Sequence, residues 1–369
     1  MMQRSLLLFE NVIKSKETLK RYKYYLDIFL KFYHLKDCNS LVSMNNEKLQ
    51  IMIEDYVMDL KKRVNPNSVP TYITPLQTFL EINDSDLKWK KIHRLYPAKI
   101  KSGGRTAYNT EDIKKMLELE PQRRNRALIH ILASTGMRKG ALSHLKISNL
   151  KQMPRDCYAV LVYEDSIEEY WTFLTPEASK ELDLYFEERK HDGELLSDHS
   201  PIFRSKYQFG LQKIVPMTDK SIDQTMERVV KRAGVRKRKT HNRYDKMLEH
   251  AFRKRFETIV KLNKEIPVAV AEKLIGHKAY YDDRGNHIQL DENYVVPEVE
   301  RLFQFYEHAI SELTIDNSTR KQAELDQMKQ NQSEYEKEKM KYNNLTKDFE
   351  EFKEEMKSFI KEIREKEDS

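Results

Sequence analysis

The chain has 369 residues, enough for two domains and an appendage, and 39% of them are apolar, enough for buried cores. A charged fraction of 34% and a net charge of +7 favour an anionic partner, nucleic acid being the commonest, with plain solubility as the bland alternative. Two distant cysteines, Cys38 and Cys157, exclude a disulfide framework and a cysteine-based zinc site, and the apolar run in the first ten residues is too short for a signal segment or a span, so a soluble intracellular protein is expected.

In chain order, residues 16–35 place Leu19, Tyr22, Leu26, Phe29, Leu30, Phe32 and Tyr33 at helical spacing, and 46–63 repeat the pattern through Leu49, Ile53, Tyr56, Val57 and Leu60. NPNS at 65–68 breaks the chain, and a further helix runs to about Ile82. This predicts an all-helical domain over 1–100, which by itself is any helical bundle. PAKIKSGGRT at 97–106 reads as a linker. A second domain over 101–316 opens with a helix capped by Asn109 or Thr110.

Within it an apolar helix ends at STG, 134–136, and another begins after it. Residues 157–174 predict a β-hairpin around an acidic turn. Helices are expected over 176–190, 219–233, 246–262 and 267–275. The fold class is therefore mainly α with a small antiparallel sheet.

From 317 onward there is no Gly or Pro. Leu325, Met328, Tyr335, Tyr342, Leu345, Phe349, Phe352, Met356, Phe359 and Ile363 trace a heptad seam with one discontinuity at Tyr342–Leu345. A coiled-coil tail over 317–369 is expected, ahead of a long single helix. Its 12 basic and 14 acidic residues leave +9 on the 316 residues before it, where a nucleic-acid-binding core requires positive charge.

Three segments of the second domain can carry chemistry: ASTGMRKGAL at 133–142, HAFRKRFET at 250–258, and EKLIGH at 272–277 followed by DENY at 291–294. Each alone is ordinary. Arg138 could be a surface arginine, His250 and Arg253 a solvated basic face, His277 a helix-end partner. Phe252 and Phe256, four apart, should anchor their helix in the core, leaving His250 and Arg253 outward, with Lys254 and Arg255 as backbone contacts or solvated charge.

Taken in order, the segments resemble the catalytic boxes of the tyrosine recombinase, or phage-integrase, family. TGMRKGAL matches the first box except that Ala141 stands where a glutamate is usual. HAFR matches the second and EKLIGH the third, and Tyr294 before Val-Val-Pro fits the nucleophile better than Tyr280 or Tyr281. The likeness covers roughly 16–315. Its nearest form is the integrases of archaeal mobile elements, through LTPEA from Leu174, HAFRK, and AISELTI at 309–315.

The resemblance implies an N-terminal core-binding domain and a catalytic domain closing on duplex DNA. It implies a tyrosine hydroxyl attacking a phosphodiester to form a 3′-phosphotyrosine, with no ATP, metal or other cofactor. Arg138 and Arg253 would clamp the phosphate, His250 would act as general base, His277 would bond a nonbridging oxygen, and Tyr294 would attack. The implied partners are attachment-site duplexes and copies of the same chain, as a tetramer in the synaptic complex. The implied setting is a prokaryotic cytoplasm, at the nucleoid.

Arg105, Lys139, Arg236, Lys237, Arg238, Arg243 and Lys254 are candidate DNA contacts. Residues 228–243 alone hold eight basic side chains, which suit salt-sensitive phosphate binding or a solvated loop equally.

Two departures stand against the resemblance. The family's hairpin lysine, which protonates the leaving 5′-oxygen, has no counterpart in EDSIEE at 164–169, where Ile167 falls near its place. Another cation such as Lys206 could supply the proton, or the acid is missing. An acidic hairpin must also swing away from the phosphate or impair the reaction. Seventeen residues separate His277 from Tyr294 where about nine are usual, and the DDRGN turn within them suggests an inserted loop. A DNA-binding relative of weak activity, assembling through its coil, is the competing function. A coiled-coil interaction protein with a basic head is opposed by the ordered boxes.

Overall fold

The computed structural model describes residues 4–100, 104, 106–205, 214–239, 243–281, 287–289, 298–316 and, beyond these, 336, 339–341, 353 and 356. The chain falls into two compact units, Met1–Ser102 and Gly103–Ser369.

The first unit is helical throughout its described residues: α1 (Arg4–Val12), α2 (Lys16–Phe32), α3 (Asn39–Val42), α4 (Asn46–Arg63), α5 (Val69–Ile82) and α6 (Trp89–Arg94). α2 starts where the Ser15 hydroxyl accepts the Thr18 N–H, and α4 where the Asn45 side chain accepts that of Glu47. α2 stops short of the expected residue 35 because His34 turns left-handed, at φ 53°. The helical faces meet in a core of Phe9, Phe29, Tyr56 and Phe79, all fully buried. α1 is absent from the sequence-based expectation, yet it supplies Phe9, set edge-on against Phe79 at 5.5 Å.

The second unit opens with α7 (Thr110–Leu119). Its capping box has Asn109 accepting the Asp112 N–H while Asp112 accepts that of Asn109, as one of the two expected caps. α8 (Arg123–Thr135) is buried along both faces in its second half and packs against α10 (Pro176–His191) and α12 (Leu248–Leu262). α9 (Lys139–Leu142) follows it, and α11 (Asp219–Ala233) packs on α7.

The expected hairpin gains a third strand. β1 (Leu150–Met153), β2 (Cys157–Val162) and β3 (Tyr170–Leu174) form an antiparallel sheet in that order. Alternate residues serve opposite cores. Val160, Val162 and Leu174 join the cluster around α8, whereas Cys157, Ala159 and Phe173 join one with Phe303 and Tyr306. Two short pairs complete the strands, β4 (Arg238–Lys239) with β5 (Arg243–Tyr244), and β6 (Ala279–Tyr281) with β7 (His287–Gln289). The latter pair lies within the stretch between His277 and Tyr294, of which 282–286 and 290–297 lie outside the described residues.

α13 (Val268–Leu274) lies between α12 and β6, and α14 (Val299–Glu307) and α15 (Ile310–Leu313) follow. The segment after α14 is tied down by charge. Glu177 accepts the N–H groups of Ile315 and Asp316 at 2.6 and 3.0 Å. Arg255 donates to the carbonyls of Glu312 and Leu313 at 2.8 and 3.3 Å and is 5% exposed. The expectation that Arg255 is solvated charge is therefore corrected: backbone acceptors hold its guanidinium inside.

The expected coiled coil over 317–369 lies almost wholly outside the described residues. Among those described, no helix is long and apolar enough to cross a membrane.

Candidate active site

α12 carries the second segment. Phe252 and Phe256 are fully buried, as their spacing requires, and fix which face of α12 turns inward. One helical step away, Arg253 is only 6% exposed and reaches across to two other segments. Its Nη1 donates to the Gly136 carbonyl at 3.1 Å, and its Nη2 to the Ile275 carbonyl at 2.8 Å and to His277 Nε2 at 2.9 Å. A guanidinium can only donate, so Nε2 is the accepting nitrogen and the His277 proton sits on Nδ1. That proton is donated to Glu272 Oε2 at 2.6 Å. Glu272 is 4% exposed and its other oxygen pairs with Lys261 at 2.8 Å. Burial, then the neighbouring Arg138, hold the Arg253 pKa below the usual arginine value.

The two glycines of the outer segments place these groups. Gly136 ends α8 left-handed at φ 56°, and a Cβ there would lie 2.7 Å from Phe256 Cβ. Gly276 follows α13 at φ 71°, and a Cβ there would lie 2.5 Å from the Tyr170 ring. Tyr170 itself is buried, and its hydroxyl lies beside Arg253 without a well-aligned hydrogen bond. Burial pushes that hydroxyl up to about 12.

Arg138 caps α9, its carbonyl accepting the Ala141 N–H at 2.9 Å, and its exposed guanidinium has no hydrogen-bond or ion-pair partner among the described residues. His250 is exposed at the mouth of a cleft that Arg138 and Arg253 also line. Burial, then the cations Lys254, Arg253 and Arg138, push its pKa down, which keeps the imidazole neutral and able to accept a proton. A second cleft is lined by Arg138, Glu168, Gly276, His277 and Lys278. Arg138 borders both. Three of the other four expected catalytic residues thus line a cleft with it; the fourth, Tyr294, lies outside the described residues.

The hairpin does not swing away. Glu168, from the β2–β3 turn, lines the same cleft as Arg138 and His277, while Ile167 points out at 87% exposure. Sequence reasoning missed Glu272, Tyr170 and Lys278. Glu272 stands two residues before the LIGH run and Lys278 directly after it, a signal that was available; Tyr170 had none.

The expected DNA contacts divide. Lys237 is exposed. Lys139 is paired with Asp223 at 2.6 Å. Arg236 is paired with Glu227 at 2.9 Å and stacked on Tyr244 at 3.8 Å, and Lys254 donates to the Gly104 carbonyl. Arg105 and the side chains of Arg238 and Arg243 lie outside the described residues, as does Lys206.

Residues 107–281 match the phage integrase family. No curated protein sequence matches significantly. A lambda integrase (75–356) dimer bound to a COC′ core site shares the fold at a TM-score of 0.50 and 16% identity, over 80% of this chain and 97% of that one. A lambda integrase tetramer bound to a Holliday junction gives 0.50 and 17%, over 79% and 78%. The integrase from mycobacterium phage Brujita aligns over 84% and 91% at 14% identity, with a TM-score of 0.41. The residues of the two clefts that Arg138 borders fall inside the matched segment, and residues 107–281 carry a domain of the phage integrase family, the tyrosine recombinases, whose reaction is to cleave and rejoin DNA strands.

Proposed function

We propose that the protein is a site-specific DNA recombinase or integrase that exchanges strands through a 3′-phosphotyrosine on Tyr294. The observation that carries this is the convergence of two guanidiniums, Arg138 and Arg253, with a neutral imidazole, His250, on one cleft. Two fixed positive charges suit the extra charge of a pentavalent phosphate. His250 takes the tyrosine proton. His277 bonds a nonbridging oxygen, which requires its Nε2 to leave Arg253 and carry a proton, so the pair rearranges when the phosphate arrives.

Duplex DNA is the partner, and the exposed Lys237 with the neighbouring basic stretch contacts its backbone. The first unit serves as the core-binding domain. Copies assemble on DNA, with the heptad seam of 317–369 as a coiled coil. The nearer kinship to integrases of archaeal elements, and a place in a prokaryotic cytoplasm, rest on the sequence segments alone. The absence of a hairpin lysine and the presence of Glu168 in the cleft favour a second reading, a DNA-binding relative of low activity.

The test uses a nicked duplex made from the sequence that the protein enriches from a random DNA library. A covalent protein–DNA adduct is expected with the unaltered protein and none with Tyr294→Phe. Tight, salt-sensitive binding without an adduct would favour the second reading, and an adduct surviving Tyr294→Phe would remove that tyrosine from its role.

A further inference from the structure

We infer that Asn67 is a positioning residue that fixes where the linker leaves the first unit, and so sets the length of the tether between the two units. The consequence for DNA rests on the reading above that both units hold one duplex.

The NPNS break at 65–68 and the linker at 97–106 meet in the fold. Pro66–Ser68 forms a 3₁₀ turn capped by Asn65, whose side chain accepts the Asn67 N–H at 3.0 Å. The Ser68 N–H closes the turn on the Asn65 carbonyl at 2.8 Å. With its backbone held in this way, Asn67 turns its amide to the linker. Its Nδ2 donates to the Ile100 carbonyl at 2.7 Å, and its Oδ1 accepts the Ile100 N–H at 3.1 Å. One side-chain amide thus takes both backbone groups of a residue 33 positions away, as a neighbouring strand would.

Before Ile100, the chain is last held at Tyr96, which packs against the core of the first unit. The other end of the linker is held within the second unit. Lys254 donates to the Gly104 carbonyl, and the Thr106 N–H to the Asp245 carbonyl at 3.2 Å. Three residues, 101–103, therefore separate the two anchors, where release of Ile100 would leave the seven of 97–103. Both bonds of Asn67 are exposed, so water competes for them and the anchor opens at modest cost. When two joined units bind one duplex, the effective concentration of the second falls roughly as the −3/2 power of tether length. Lengthening the tether from three residues to seven then weakens binding about three- to fourfold.

The experiment reads the anchor first without DNA, in the full chain. Lys99 is exposed, and trypsin cutting after it breaks the bond whose N–H Asn67 holds. Asn67→Ala should speed that cut by about five- to tenfold, followed by mass spectrometry, with little change in melting temperature. Asn67→Asp still accepts the Ile100 N–H but sets a charge against its carbonyl, and should fall between. On the enriched duplex, Asn67→Ala should bind about three- to fourfold more weakly. A four-residue Gly-Ser insertion after Ser102 lengthens the tether with Asn67 in place. It should weaken binding to the same degree while the cut after Lys99 stays slow. An unchanged rate of cutting in Asn67→Ala would overturn the anchor, and unchanged or tighter binding would overturn its role in setting the tether. If the unaltered protein enriches no duplex, the DNA reading falls, and the cut after Lys99 still decides whether Asn67 holds the linker.

Discussion

Glu272→Gln tests the arrangement behind His277. Glutamine keeps the shape of the side chain but exchanges one acceptor oxygen for a donor. Both neighbours of Glu272 are donors: His277 Nδ1 at 2.6 Å and Lys261 Nζ at 2.8 Å. Whichever way the amide lies, one donor meets another. If the NH₂ faces His277, the ring must move its proton to Nε2, where it confronts the Arg253 donor 2.9 Å away. If it faces Lys261, the lysine still has Glu257, so this is the cheaper outcome. The loss is then one charge-assisted interaction at a site 4% exposed on the acid side and partly open on the lysine side, about 1–2 kcal/mol. For a unit of this size that is roughly 3–6 °C in melting temperature. His277 would also lose the full negative charge that holds its proton on Nδ1, and adduct formation should slow by about tenfold, the equivalent of one such bond. Calorimetric unfolding and adduct formation on the enriched duplex read the two effects. A variant that melts and cleaves like the unaltered protein would show that Glu272 does not hold the ring.

Four further outcomes follow from other contacts. His130 is 7% exposed and its pKa is lowered to about 4 from 6.5, chiefly by burial. The unfolded chain therefore binds the proton first, and stability present above pH 6.5 is lost as pH falls toward 4, by up to roughly 3 kcal/mol from this group. The nearby Glu177, whose pKa burial raises, acts in the opposite sense and reduces the net loss; urea titrations across this range should show a shallower slope in His130→Leu. Gly136→Ala combines a left-handed backbone with a contact against Phe256, worth about 2–4 kcal/mol together, and should lower the melting temperature by roughly 5–10 °C. Glu168→Gln removes a negative charge from the cleft and should tighten DNA binding up to about fivefold at low salt, less at high salt; unchanged anisotropy titrations would mean that the hairpin does not face the phosphate. Removing residues 317–369 should lower the mass measured by light scattering if the heptad seam drives self-association, and an unchanged mass would make the tail a lone helix.

The parts of this protein legible in the sequence are those where one physical rule dominates. α4 runs over 46–63, as its apolar spacing predicts, because a Leu-Ile-Tyr-Val-Leu stripe has one way to be buried. The ordered boxes were legible because guanidinium, imidazole and left-handed glycine cannot be exchanged for other residue types at those places. β1 was missed because LKQM has neither length nor alternation; pairing with β2 makes it a strand. Arg255 was misread because a run of cations looks solvated, and only the fold brings the Glu312 and Leu313 carbonyls to it. The direction of the β2–β3 turn was likewise beyond sequence. Its acidity was plain, but whether it faced the cleft depended on packing that no local pattern records.

The two glycine-bearing boxes turn out to be one device used twice. In each, a helix ends near a left-handed glycine, Gly136 after α8 and Gly276 after α13, and in each an aromatic side chain fills the space where a Cβ would sit. In each, the turn aims a backbone carbonyl, from Gly136 or Ile275, at the Arg253 guanidinium. Hydrogen bonds to a charged group are worth about 1.5–3 kcal/mol apiece, so the two carbonyls fix that guanidinium before any phosphate arrives. The motif glycines and the motif arginine are therefore mechanically coupled, although 117 residues separate Gly136 from Arg253. A substitution at either glycine should disturb Arg253 first and the helix ends second, which explains why the three boxes carry meaning only as a set.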